Sequence, residues 1–433
     1  MKRTAYLILV LAFFASLFSS CGEDRTHEYY EKTEENQWIY SKMKEVYLWR
    51  DQIKEPSRTT FFSNTTKFFN SLIYSGDKVS YFTDTISAGS YGVTFTVMRD
   101  PIGVRPSKVY ALALMIEPGS PADIAGVKRG TWISSVGGTS FTTSKYSMLQ
   151  SGSSTTLVTE FIEFDDETKE YYWEAGDTLQ MDASVDYTEQ ALHLDSIYKV
   201  SSKNIGYLVL SNFDGEEFTQ QTQKALQRFA DGDVDEVIID LRYCGGGSIT
   251  NAASLASSFV PTELHGTPFC MLADADNEID TTYCYSQQQV ALDCTKLYVI
   301  IGSQTSGAAE LFATALNKSL PMYDLLTFGA KSAGANVMTE KFESPYGFSI
   351  NPATSQILLA DSTLLQAMTP DYALNELEPH AKQDGPVQVY ALGSEQEYML
   401  FNIFYLASKG MLPEDKSSDG TPVFRKDNKD FTR

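Results

Sequence analysis

The sequence predicts a multidomain chain of mixed class, α+β with an α/β core: a helical N-terminal segment, a β-rich module and an α/β region. Three observations lead there. Apolar and aromatic residues fall at helical spacing between residues 28 and 75. From Ser90 the pattern changes to short alternating runs divided by turn residues, and near residue 188 it changes again, to strands and helices in turn. The 433 residues allow two or three domains with a sizeable core. The boundaries expected are 1–21 for a leader, 22–88 for the helical domain, 89–187 for the β-module, 188–411 for the core with its last helix, and 412–433 for a polar tail.

The leader comes first. Met1-Lys2-Arg3 precede an apolar run from Ala5 to Phe18, short for a membrane span and right for a signal sequence. The run ends in Phe18-Ser19-Ser20-Cys21, which resembles a bacterial lipoprotein signal with Cys21 as the lipidated residue; an ordinary secretory signal with an incidental cysteine is the alternative. Delivery to the bacterial cell envelope as a lipid-anchored protein follows, at the outer membrane or cell surface, and Glu23-Asp24 are compatible with export. Cys244, Cys270, Cys284 and Cys294 would then lie where disulfides persist, with no pairing fixed by spacing.

In the helical segment, Trp38-Ile39-Tyr40, Met43, Val46 to Trp49, Phe68-Phe69 and Leu72-Ile73 read as packed helices whose aromatic stripe is core. The β-module opens with Tyr91 to Phe95 and Val109 to Leu114. In the core, 205–210, 237–241 and 297–301 are expected strands; 216–230, 248–259 and 308–317 are expected helices, and 395–409 is the last helix. This is the rhythm of an α/β sheet with ligand sites at strand ends.

Composition excludes several functions. Fifty-six acidic against 34 basic residues leave a net charge of −22, which repels phosphate backbones and argues against nucleic acid as a partner. The four histidines, His27, His193, His265 and His380, are scattered without metal-binding spacing, so no metal and no cofactor is implied.

Two motifs carry the functional reading. Glu117 to Gly130, with Trp132-Ile133 and Val136-Gly137-Gly138, resembles the glycine-punctuated stretch of PDZ domains, with Thr131 where those domains usually carry Asp. Gly119 and Gly130 fit turns and Gly126 a helix end with positive φ. The resemblance implies capture of extended or C-terminal peptides by strand addition, with Tyr91, Gly92 and Val93 near a carboxylate-binding loop; docking within the chain is the other use of such a module. The second motif, Asp240 to Gly247, closes a buried strand with a glycine run and opens a helix, presenting free N–H groups to an anion or oxyanion.

With Asn204 to Leu208, Ser211-Asn212-Phe213, Trp38 to Tyr40, Glu310, Thr369-Pro370-Asp371 and Leu392-Gly393 in order, the chain resembles the tail-specific (C-terminal processing) serine peptidases over most of its length. The resemblance implies a crotonase/ClpP-like α/β core, protein or peptide substrates, and a Ser nucleophile with a Lys base, a dyad that needs no histidine. Carried over residue by residue, the dyad is disturbed. In Thr305-Ser306-Gly307-Ala308-Ala309-Glu310 the nucleophile position matches Gly307, and in Gly329 to Ala335 the Lys position matches Ala335. Two readings stay open: a peptidase with a rearranged dyad of Ser306 and Lys331 and an oxyanion hole from Gly245, Gly246 and Gly307, or a peptide-binding pseudopeptidase. For single residues, Ser306 as a helix cap and Lys331 as a solvated loop residue are the plain alternatives. Oligomeric state is not encoded in any of these motifs.

Overall fold

The structure is a computed structural model that describes residues 26–84, 89–186, 189–321, 324–377, 389–413 and 425–427. Cys21 and the leader lie outside the described residues, as does most of the polar tail. The described residues form two compact units, those of 1–85 with 339–354, and those of 86–338 with 355–433.

In the first unit, helix α1 (Thr26–Val46) and helix α2 (Thr65–Leu72) form where the spacing predicts them. Asn64 caps α2 by accepting from the Lys67 N–H, and Phe68, Phe69 and Leu72 bury its apolar face. The aromatic stripe is core: Ile39, Met43 and Tyr47 are fully buried, and the Phe61 ring packs 5.0 Å from Phe68. The segment is not purely helical, however. Strand Tyr81–Asp84 pairs antiparallel with Phe348–Asn351, which pairs in turn with Phe342–Glu343. Two helices of this size leave one aromatic face uncovered, and Phe348, stacked 5.0 Å from Phe82 and edge-on 5.8 Å from Trp38, covers it from far along the sequence.

The β-module belongs to the second unit. Its strands run 93–99, 109–116, 132–136, 155–165 and 170–181, each antiparallel to the next. Gly119, Gly126 and Gly130 all have positive φ, at 76°, 87° and 86°, which meets the requirement read from the motif. The outer edge of strand 93–99 receives Arg425–Asp427 as an added antiparallel strand.

The core sheet has six strands, labelled here β1 (Leu192–Val200), β2 (Lys203–Leu210), β3 (Glu236–Asp240), β4 (Lys296–Ile301), β5 (Leu325–Gly329) and β6 (Tyr372–Ala373). Their order is β6-β5-β4-β3-β2-β1; β2 to β6 are parallel and β1 runs antiparallel to β2. Helices α3 (Phe218–Asp231), α4 (Ile249–Ser257) and α5 (Gly307–Ser319) share one buried cluster with Leu208, Val237, Ile239 and Val299. Helix α6 (Tyr398–Lys409) packs with Tyr207, Ile238, Tyr298 and Ile300 on the other side. Neighbouring residues of each strand thus enter opposite clusters, which is why these strands read as unbroken apolar runs. The parallel strands direct their carboxyl ends to one edge, where loops gather.

Candidate functional site

Beyond β3 the chain turns through Leu241-Arg242-Tyr243-Cys244-Gly245-Gly246-Gly247 into α4, whose cap Ser248 accepts from the Asn251 N–H. A Cβ on Gly247 (φ 119°) would stand 2.7 Å from the Phe213 nitrogen, so only glycine fits the backbone crossing there. Gly247→Ala is therefore expected to unfold the chain several degrees earlier than the parent in a thermal melt. A Cβ on Gly246 would lie 3.3 Å from the Ser306 carbonyl oxygen, which places this turn against the start of α5.

Beyond β4, Thr305 fixes the approach to α5: its hydroxyl donates to the Leu241 carbonyl at 2.6 Å and accepts from the Gly302 N–H at 2.8 Å. Ser306 occupies the N-cap position in extended backbone, and its side chain makes no capping bond. Gly307 begins the helix at φ 54°, a conformation that costs a residue with a side chain about 1 kcal/mol or more. Space is available there, since a Cβ would meet only the Gly246 Cα, at 3.7 Å. Among the described residues the amides of Gly246, Gly307 and Ala308 donate to no protein acceptor, whereas Gly245 donates to the Ser211 carbonyl at 3.3 Å. Gly245 is thus already engaged, and the free donors converge on Gly246 and the first turn of α5.

The segment after β5 folds back along that turn: the Ala333 N–H donates to the Thr305 carbonyl at 2.9 Å. Glu310, fully buried on α5, holds it. Its Oε1 accepts from the Ser332 hydroxyl and from the Gly334 N–H at 2.8 Å, and its Oε2 accepts from the Ala335 N–H at 2.8 Å. Burial pushes the Glu310 carboxyl up, and these donors offset part of that rise. At Ala335 a backbone amide, not an ammonium, meets the carboxylate. Lys331 is exposed, and no hydrogen bond joins its ammonium to Ser306.

Of the three residues placed at a carboxylate-binding loop, Tyr91 is buried and its N–H donates to the Gln150 carbonyl, while the Gly92 N–H donates to Ser90 Oγ. Only Val93 is partly exposed. Free loop amides are absent at 91 and 92 because the module spends them on its own packing.

The largest polar constellation beside the site was not legible from motifs. Arg242 bonds Asp240, Glu376 and Glu397 at 2.7, 2.6 and 2.7 Å, all four residues being at most 6% exposed as side chains. Arg129 of the β-module joins it, donating to Glu376 at 2.8 Å, to the Tyr243 hydroxyl at 2.6 Å and to the Leu114 and Tyr390 carbonyls. Tyr243 donates to Glu376 at 2.6 Å. Burial alone would raise the Glu376 carboxyl; the charges of Arg129 and Arg242 outweigh it and hold that group far below the usual carboxylate range. The one signal in the sequence was an arginine directly after a buried strand, which demands buried acids from elsewhere. A small cleft opens at the strand ends between Arg242, Tyr243, Gln304, Ala330 and Asn375. The Gln304 Oε1 is buried without a partner among the described residues.

The comparisons fit this geometry. Residues 204–374 match the model of peptidase family S41, and residues 34–81 match that of the peptidase S41 N-terminal domain. A putative S41 protease from Bacteroides fragilis is similar in structure with a TM-score of 0.72 at 24% identity, covering 86% of this chain and 97% of its own. The photosystem II D1 C-terminal processing protease is similar with a TM-score of 0.50 at 17% identity, covering 80% of this chain and 94% of its own. No curated protein matches the chain.

Proposed function

Because this chain belongs to peptidase family S41, with C-terminal processing proteases among its structural neighbours, we propose that it is a peptide-binding member of that family in which the Ser/Lys chemistry is not assembled. The observation that carries this reading is Ala335: where the family's base would stand, a backbone N–H is bonded to Glu310. Ser306 keeps a hydroxyl near the site, but among the described residues no hydrogen bond joins it to a base, and the ammonium of Lys331 is exposed.

The binding elements persist. The amides of Gly246, Gly307 and Ala308 form a nest for a peptide carbonyl or a terminal carboxylate, and the unpartnered Gln304 Oε1 awaits a donor such as a peptide N–H. The outer edge of strand 93–99 already takes an extended segment in antiparallel pairing, which supports strand addition by a PDZ-like module. Lipid attachment at Cys21 would hold the protein at the cell envelope, a part of the proposal supported by the leader sequence alone.

The competing reading is the rearranged dyad, favoured by the same free amides, which suit an oxyanion as well as a carbonyl. Incubating the chain with unfolded proteins and with peptides of apolar C-terminus separates them. The expected result is saturable peptide binding with no turnover above background, unchanged in Ser306→Ala and Lys331→Ala. Turnover lost in both variants would overturn it.

A further inference from the structure

The sheet of the β-module ends in a two-stranded ribbon. Strands 155–165 and 170–181 pair from Thr155 opposite Met181 to Asp165 opposite Glu170, whereas strand 132–136 meets the first of them only at 157–160. Residues 161–165 and 170–174 are therefore paired with each other alone, and no described strand lies on the outer edge of 170–181. Alternation sorts their side chains onto two faces. Ile162 and Trp173 turn inward, the Trp173 ring stacking 4.3 Å from Tyr110, and Phe164 and Tyr171 extend that face with rings 4.8 Å apart. The opposite face carries Phe161, Glu163, Tyr172 and Glu174, with Glu170 nearer the turn. Phe161 and Tyr172 are 41% and 43% exposed there.

Charge is handled differently along this ribbon. Glu160, the last residue paired with 132–136, is neutralised by Lys108 at 2.7 Å and by Arg105. Beyond it Glu163, Glu170 and Glu174 are exposed and meet no cation among the described residues; Lys169 in the turn pairs with Asp166 at 3.4 Å. Asp165 and Glu170 stand directly opposite each other, an arrangement that weakens a sheet. Exposed rings and unpaired like charges on an open edge bring the chain itself no stability. Acids there also keep other copies away, because two such edges brought together would set carboxylate against carboxylate in a chain of net charge −22. An edge of opposite charge is attracted. We propose that the 161–174 ribbon is a docking edge for an extended basic segment of another protein, one in which Lys or Arg alternates with apolar residues. Added as a further strand on 170–174, such a segment directs its basic side chains to Glu170, Glu174 and the Tyr172 ring, and its apolar ones to the face of Phe164 and Tyr171. The ribbon lies at the end of the module's sheet opposite strand 93–99, so this docking is distinct from peptide binding at that strand.

The probe is a fluorescent peptide of repeated Lys-Val units, as long as strand 170–181, titrated by anisotropy against the full chain. Saturable binding is expected, with none for a Glu-Val peptide, and at least about tenfold weaker binding for a peptide of the same composition whose lysines and valines form two blocks. Combining Glu163→Lys with Glu174→Lys should weaken the Lys-Val peptide at least about tenfold, while the melting temperature holds because both positions are exposed. Amide hydrogen exchange locates the contact, with slower exchange expected at 170–174 when the peptide is bound. Equal binding of the alternating and blocked peptides, undiminished binding by the double variant, or protection at 93–99 in place of 170–174 overturns the docking edge. Absence of binding overturns it as well and leaves the acids as guards of an open strand only.

Discussion

Arg242→Met is expected to cost at least about 3–5 kcal/mol, the range for removing one partner of a buried ion pair, and to leave little folded protein at neutral pH. The arginine satisfies Asp240, Glu376 and Glu397 at once, and none of these acids reaches solvent. Without it, Arg129 would be the one cation facing Glu376 and Glu397, and Asp240 would keep the Tyr207 hydroxyl at 2.8 Å and the backbone N–H of residue 242 at 3.2 Å but no cation. The pH profile distinguishes lost charge balance from lost packing. In the parent, Glu376 is depressed, so its contribution is present above the ordinary carboxylate range and disappears as pH falls. In Arg242→Met the stranded acids are raised instead, so the variant should regain stability relative to the parent as pH drops from 7 toward 5. Chemical denaturation of both proteins at those two pH values measures the difference; parallel profiles would reduce the arginine to a space-filler.

Glu310→Gln should destabilise by about 1–3 kcal/mol, although it changes only one atom of the side chain. The carboxylate faces donors alone: the Ser332 hydroxyl and Gly334 N–H at one oxygen, the Ala335 N–H at the other. A carboxamide must turn its NH2 toward one of them. Glu310→Ala removes both acceptors and is expected to cost more and to free the 332–335 segment. Amide hydrogen exchange across 330–336 reads this directly: exchange in Glu310→Ala should be at least tenfold faster than in the parent. An unchanged rate would mean that the Ala333 to Thr305 bond and the Ser332 to Met368 contacts hold the segment unaided.

Local pattern told much of this in advance. The β2, β3 and β4 strands lie where unbroken apolar runs placed them, because burial on both faces removes any polar alternation. Gly119, Gly126, Gly130, Gly246 and Gly247 announced backbone in the positive-φ region, where a side chain is strained. Glycine cannot announce what it replaces, however: reading Gly307 and Ala335 as lost chemistry required a template, and composition offered none. What local pattern could not carry were pairings across the chain. Arg129 lies 247 positions from Glu376, and its motif assigned it no role. Phe348 falls within the 188–411 stretch expected to be core, yet it completes the N-terminal unit, because burial of Phe82 and Trp38 selects partners by shape and not by proximity in sequence.

That long-range completion sets a timetable for synthesis. Asn351 bonds Thr83 across 268 positions of sequence. At about 5–20 residues added per second, the ribosome delivers the second strand of this pair roughly 15–50 s after the first. Through that interval helices α1 and α2 and the Tyr81–Asp84 strand have no partner for their aromatic face and present an open strand edge. The newborn N-terminal segment is then the part of this protein most in need of a chaperone, and it stays so until nearly the whole core has been made.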